Sequence, residues 1–187
     1  MQIYKDMDIG TAKPTKTEQN EAKHYLIDFV SPDKRYSVAE YKNDAENVID
    51  KIIKDNKTPI IVGGTGLYLN SLIYGIDYPD IKTDLNYRKE LEEKVNKDGL
   101  EEIYKEAKII DPIAVEKISK NDKKRILRIL EIYHSTGKTK TELEKESRKN
   151  GIKYDYRIFV LNMPRCELYE RINKRVDIMI KEGLIEE

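Results

Sequence analysis

Apolar and polar positions recur along this chain in two rhythms. From Ser37 to Asn56 the apolar residues Val38, Tyr41, Ala45, Val48, Ile49, Ile52 and Ile53 fall at three- and four-residue spacing. That spacing predicts an amphipathic helix. Ser37, with Glu40 three residues later, is a capping-box sequence at its start. Pro59–Val62 then forms a short apolar run of strand type. It leads through Gly63, Gly64, Thr65 and Gly66 into Leu67, Leu69, Leu72 and Ile73, which continue as a helix. Tyr156–Met163 has the same strand character. It precedes a helix from Arg165 whose apolar side carries Leu168, Ile172, Val176, Met179 and Ile180. Near the start, Gln2–Tyr4 and His24–Val30 read as short extended segments, joined by a loop punctuated by Gly10 and Pro14. Helix and strand alternate, which predicts an α/β core with a parallel sheet covered by helices.

Between about Leu85 and Asn150 the strand rhythm stops and short, charged helices take over. Leu85, Leu91 and Val95 mark one helix, ending near Gly99; Leu100, Ile103, Tyr104 and Ala107 mark the next. Asp111 with Pro112 is an N-cap followed by proline at the first helical position. A further helix starts at Asn121 or Asp122 and stops at Gly137, and a polar one follows it to Gly151. The reading is an α/β core over residues 1–80, a helical insertion over 81–152, and a return strand and helix of the core over 153–187.

Composition narrows the class. The chain has 187 residues, of which 37% are charged and 39% hydrophobic, with a formal net charge of zero. It is long enough for one sizeable core. No run approaches the roughly 18 apolar residues that span a membrane. A single cysteine, Cys166, excludes an internal disulfide and fits a reducing cytoplasm. His24 and His134 have no second His or Cys at ligand spacing, so no protein metal site is expected.

Three constellations could carry chemistry. The Gly63–Gly66 turn lets backbone approach a ligand, and the helix start behind it favours an anion. The plain alternative is a tight turn with Thr65 as helix cap. Lys124, Arg125 and Arg128 give one helix a basic face suited to nucleic-acid phosphates, or an ordinary solvated face. Arg171 and Arg175 lie one turn apart, a spacing that suits a diphosphate or pairing with Glu167 and Glu170. The chain has no G-x-x-x-x-G-K-[ST] loop.

Five stretches in order, "MQIYKDMDIGTAKPT", "HYLIDFVSPDKRYSVAEY", "TPIIVGGTGLYLNSLIYG", "NDKKRILRILEIYHSTGK" and "RCELYERINKRVDIMIKEGLIEE", resemble the tRNA dimethylallyltransferase family. The resemblance covers essentially the whole chain. It implies a P-loop NTPase-like parallel-sheet core with an inserted helical domain that embraces the tRNA anticodon arm. It also implies transfer of a dimethylallyl group from dimethylallyl diphosphate to N6 of the adenosine 3′ of the anticodon, with Mg²⁺ and ATP-type nucleotide-binding architecture. The expected setting is a cytoplasmic monomer.

Carried over by the resemblance, the family's D-S-x-Q motif survives as Met1 and Gln2, with Gln2 on the target adenine. Thr65 stands at the channel of the flipped base, in a supporting catalytic place. Arg88 touches tRNA, as do Lys124, Arg125, Ile126, Leu127 and Arg128 at the start of an R-x-x-R-A-L-E helix. Arg171 and Arg175 hold the diphosphate. The family's P-loop falls upstream of Met1 and its aspartate base two positions before it, so both ends read as truncated. The chain alone is therefore expected to show little or no transferase activity. Ile129 replaces a usual Ala and Lys120 a usual Pro. The alternatives are a non-catalytic RNA-binding remnant and an adenylate isopentenyltransferase.

Overall fold

Capping chemistry sets where the helices begin. In a computed structural model, residues 1–77, 81, 84–149 and 151–187 are described. The chain divides into two units, Met1–Tyr68 with Asp155–Glu187, and Leu69–Tyr154. The boundary expected near residue 80 lies outside the described residues.

Besides most of the helix Gly66–Ile73, five helices lie wholly within the second unit among the described residues. They are α4 (Leu85–Asp98), α5 (Leu100–Ile110), α6 (Pro112–Glu116), α7 (Lys123–Thr136) and α8 (Lys140–Glu146). Each of the aspartates Asp84, Asp111 and Asp122 caps a helix by accepting backbone N–H groups of the first turn. Thr139 and Glu142 form a reciprocal capping box at α8. Gly137 ends α7 in the left-handed conformation that the C-cap requires. The core gathers Leu91, Ile103, Ala107, Ala114, Val115, Ile126, Leu127, Ile129 and Leu130, with Tyr87, Val95 and Tyr104 packed against it. Burying these side chains at roughly 1.5–3 kcal/mol each holds the charged helices together. Ile129 fills that core completely buried. Gly75 is required in this unit. Its φ is +60°, and a Cβ there would lie 1.9 Å from the Gly151 carbonyl oxygen.

The first unit holds α1 (Lys16–Glu21), α2 (Val38–Lys54) and α9 (Arg165–Lys181), and α3 (Gly66–Ile73) begins in it. α1 was not legible from periodicity, but a Thr15–Glu18 capping box starts it. The expected box at Ser37 and Glu40 starts α2. Tyr41 stacks on Tyr68 at 4.4 Å between ring centroids. Tyr36 donates its hydroxyl to Asp44 at 2.7 Å.

The parallel sheet expected for the core does not form among the described residues. Strand-type pairing there is confined to an isolated parallel bridge between Tyr4 and Val30. His24–Val30 is irregular, with a bend over Leu26, Ile27 and Asp28 and left-handed φ at Leu26 and Asp28. Pro59–Val62 and Tyr156–Met163 run without ladder pairing and leave apolar side chains in solvent, Val62 at 90% and Leu161 at 98% exposure. Strand character is realised only against neighbouring strands. For the same reason α9 forms but buries nothing. Leu168, Ile172, Val176 and Ile180 stay exposed, because their face has no sheet to cover it.

Candidate functional site

Each unit carries one concentration of candidate residues. In the second, α4 and α7 pack together and bring Arg88 and Arg128 to one carboxylate. Arg88 Nη1 donates to Glu131 Oε1 at 2.9 Å, and Arg128 Nη1 donates to Glu131 Oε2 at 3.2 Å. Arg88 Nε also meets Glu92 at 3.1 Å. The Glu131 side chain is 2% exposed and both arginines are about one-third exposed. Beside them the Tyr87 and His134 rings stack at 3.7 Å and 8°. Asp84 Oδ2 sits 3.6 Å from His134 Nε2. The Asp84 carboxyl is held below its ordinary value, first by the N–H of Tyr87 and then by that of Asn86 and by His134.

The segment from Lys124 to Arg128 divides by face. Lys124 and Arg125 are exposed, whereas Ile126 and Leu127 are buried in the core. Arg125 pairs with the cap residue Asp122 at 2.7 Å. Ile126 and Leu127 therefore reach a ligand only through the helix they anchor. Lys120 lies over the Tyr104 ring at 5.8 Å.

In the first unit a cleft of about 800 Å³ is lined by Asp8, Lys13, Lys16, Arg171, Lys174 and Arg175, among others. Neither Arg171 nor Arg175 pairs with a carboxylate among the described residues, so surface pairing with Glu167 and Glu170 does not occupy them. Lys13 is nearly buried between Asp8 and Asp28, the latter at 2.8 Å. Burial opposes its charge, but the two carboxylates prevail and hold its pKa above the ordinary value. The side chain of Glu187 accepts N–H groups from Asp8, Ile9 and Gly10 at 2.6, 2.7 and 2.9 Å. That three-donor concavity is the type that favours an anion.

Met1 is exposed. Gln2 donates its amide N–H groups to the carbonyls of Thr11 and Ala12, at 3.2 and 2.7 Å, which leaves Oε1 as its acceptor. Thr65 is exposed in front of α3, and its carbonyl accepts the Tyr68 N–H at 3.0 Å. A Cβ added at Gly63, Gly64 or Gly66 would meet open space, so the chain's own packing does not demand glycine there. Among the described residues no three His, Cys, Asp or Glu side chains converge on a metal position. Sequence reading missed Glu131, although a lone acid between Leu130 and Ile132 in an apolar stripe was its signal. It also missed the Tyr87–His134 stack, for which no local pattern exists.

A family model described as IPP transferase matches residues 2–187. A tRNA dimethylallyltransferase of Acetivibrio thermocellus is 48% identical over 187 residues, covering all of this chain and 60% of that protein. One from Halothermothrix orenii is 47% identical over the same span, with 57% of it covered. A crystallographic study of a eukaryotic dimethylallyltransferase acting on tRNA gives a structure matching with TM-score 0.79 and 30% identity. That match covers all of this chain and 46% of the other. The chain thus spans less than two thirds of the length of the relatives it matches.

Proposed function

Because the chain belongs to the IPP transferase family, we propose that it serves transfer of a dimethylallyl group from dimethylallyl diphosphate to a tRNA. The acceptor is N6 of the adenosine 3′-adjacent to the anticodon. The observation that carries this reading is that the family match runs through both units, not one. In the reaction the N6 lone pair forms a bond to the allylic carbon. The carbon–oxygen bond to diphosphate breaks, and diphosphate leaves with the electron pair. The N6 proton passes to a base, a role assigned to no residue of this chain.

The residues present take three tasks. Arg88, Lys124, Arg125 and Arg128 bind phosphates of the anticodon arm, held in place by the packed Ile126 and Leu127. Arg171 and Arg175, which pair with no carboxylate among the described residues, neutralise the diphosphate as charge builds on it. The target base leaves its stack to react. Gln2 offers its free Oε1 to the adenine amine, and Thr65 and Met1 border that base. The reading includes a cytoplasmic setting, that of the tRNA it would act on; among the described residues no helix is long and apolar enough to cross a membrane.

The test is binding of an unmodified anticodon stem-loop by fluorescence anisotropy, with dimethylallyl diphosphate and AMP as second ligands. The expected result is salt-sensitive binding that tightens with dimethylallyl diphosphate and resists AMP. Any prenyl group transferred should appear on the one adenosine. Displacement by AMP, or prenylated AMP, would move the reading to a mononucleotide acceptor. Stem-loop binding indifferent to dimethylallyl diphosphate would leave an RNA-binding module without chemistry.

A further inference from the structure

Glu131 is out of place by the ordinary rules of a helix core. Its neighbours Ile126, Leu127, Ile129, Leu130 and Ile132 are all buried, and its own side chain is 2% exposed. A buried ion pair is weak evidence for stability, since well-packed apolar side chains do as well or better. The carboxylate spends one oxygen on each of two arginines from two helices, 43 residues apart for Arg88 and three for Arg128. A guanidinium carries five N–H donors. The bonds to Glu131 and Glu92 account for two on Arg88, and the bond to Glu131 for one on Arg128. Both heads remain about one-third exposed; with Glu92, itself 45% exposed, the four charges sum to zero, and Glu131 is the buried one among them.

We propose that Glu131 is a positioning residue that presets Arg88 and Arg128 as one rigid cationic fork for two phosphates of the RNA backbone. The inference rests on the reading of this face as RNA-binding. Its physical content is preorganisation. Long side chains that must be ordered on binding cost affinity, and a side chain ordered beforehand does not incur that cost again. A carboxylate bridging two guanidiniums also fixes their separation, and separation is what distinguishes one backbone path from another. Mere positive charge does not distinguish paths, because non-specific binding follows charge alone.

The experiment compares wild type, Glu131→Gln and Glu131→Asp in the full chain. The glutamine keeps one acceptor but turns a donor toward a guanidinium that can only donate. Two readouts are taken. Side-chain ¹⁵Nε relaxation reports whether Arg88 and Arg128 are ordered without RNA. Anisotropy across a salt series compares the anticodon stem-loop with a scrambled hairpin of equal length.

The proposal expects ordered Nε groups in wild type. In Glu131→Gln it expects a mobile Arg128 Nε, Arg88 Nε keeping its bond to Glu92, about a tenfold loss of preference for the stem-loop, and scrambled-hairpin binding as tight as before. Glu131→Asp keeps the carboxylate and both its acceptor oxygens and should recover part of the preference. Mobile Nε groups in the wild type overturn the proposal without any RNA measurement, and so decide it even if Glu131→Gln fails to fold. A folded Glu131→Gln with unchanged preference also overturns it. So does an equal loss of both affinities, which would mark Glu131 as structural only. A wild type that cannot tell the two hairpins apart sinks the RNA-binding reading instead, while the relaxation data still judge the fork.

Discussion

Asp111 makes the sharpest test of how the helical unit is held together. Its side chain is buried and its two oxygens do three things. Oδ1 accepts the Ala114 N–H at 3.0 Å, capping α6, and the Thr141 hydroxyl at 2.6 Å. Oδ2 accepts the Thr141 N–H at 2.8 Å, in the first turn of α8. Asp111→Ala removes the cap, worth about 1 kcal/mol. It also strands two donors of Thr141, at about 1 kcal/mol or more each because the lost acceptor was charged. The expected loss is about 3 kcal/mol.

Asp111→Asn separates the parts. Its oxygen can keep both Oδ1 bonds, but its amide would face the Thr141 N–H, donor against donor. That variant should cost about 1–2 kcal/mol. Thr141→Val removes the hydroxyl bond alone and should cost about 1 kcal/mol, and less in the Asp111→Ala background, because the two residues share the bond. Urea denaturation followed by helix circular dichroism measures all three. A loss below about 1 kcal/mol for Asp111→Ala would refute the claim that this carboxylate ties α6 to α8.

The same residue gives a pH signature. Burial pushes its pKa up, yet the bonds from Thr141 and Ala114 outweigh burial and hold it below the ordinary 3.8. A carboxyl with a depressed folded pKa stabilises above the unfolded value and loses that contribution as pH falls through the folded one. Asp111→Ala should therefore flatten the acid limb of stability below about pH 4.

Three further outcomes follow from other parts of the molecule. Gly75→Ala should destabilise by about 2 kcal/mol or more in the same urea assay, since the added methyl meets the Gly151 carbonyl and the left-handed φ disfavours it, whereas Gly63→Ala, facing open space, should stay within about 0.5 kcal/mol. Arg171→Ala and Arg175→Ala should each weaken inorganic diphosphate binding about ten- to a hundredfold by calorimetry, the range of a charge-assisted bond, and an unchanged affinity would remove the diphosphate from the cleft. The Glu187 carboxyl is held below its ordinary 4.5, chiefly by the Gly10 and Ile9 N–H groups. Its hold on the loop should persist above that value and fail as the solution becomes more acidic, so the Gly10 amide signal should titrate there in wild type and stay flat in Glu187→Gln.

Much of the candidate site is local in origin, and so could be read from residues in a row. Arg171 and Arg175 share a face because of the helical repeat, and the cleft they line adds only the finding that no carboxylate among the described residues pairs with them. Lys124 to Arg128 was legible as a basic segment, but which members face solvent was not. Packing turned Ile126 and Leu127 inward and left Lys124 and Arg125 outside. Arg88 and Arg128 stand 40 residues apart, and only the packing of α4 on α7 gives them a common partner in Glu131.

What the sequence by itself determined is what depends on neighbours along the chain. The caps at Ser37, Asp111 and Gly137, the helical rhythm of α2 and α7, and the family pattern all belong to that class. Tertiary structure decided what depends on neighbours across space. Pro59–Val62 and Tyr156–Met163 have strand composition, yet a strand is completed by another strand's N–H and C=O groups, and among the described residues none pairs with them. The helical unit needed no such partner. Helices satisfy their own backbone, and their apolar stripes closed on one another around Leu91, Ile126 and Leu130.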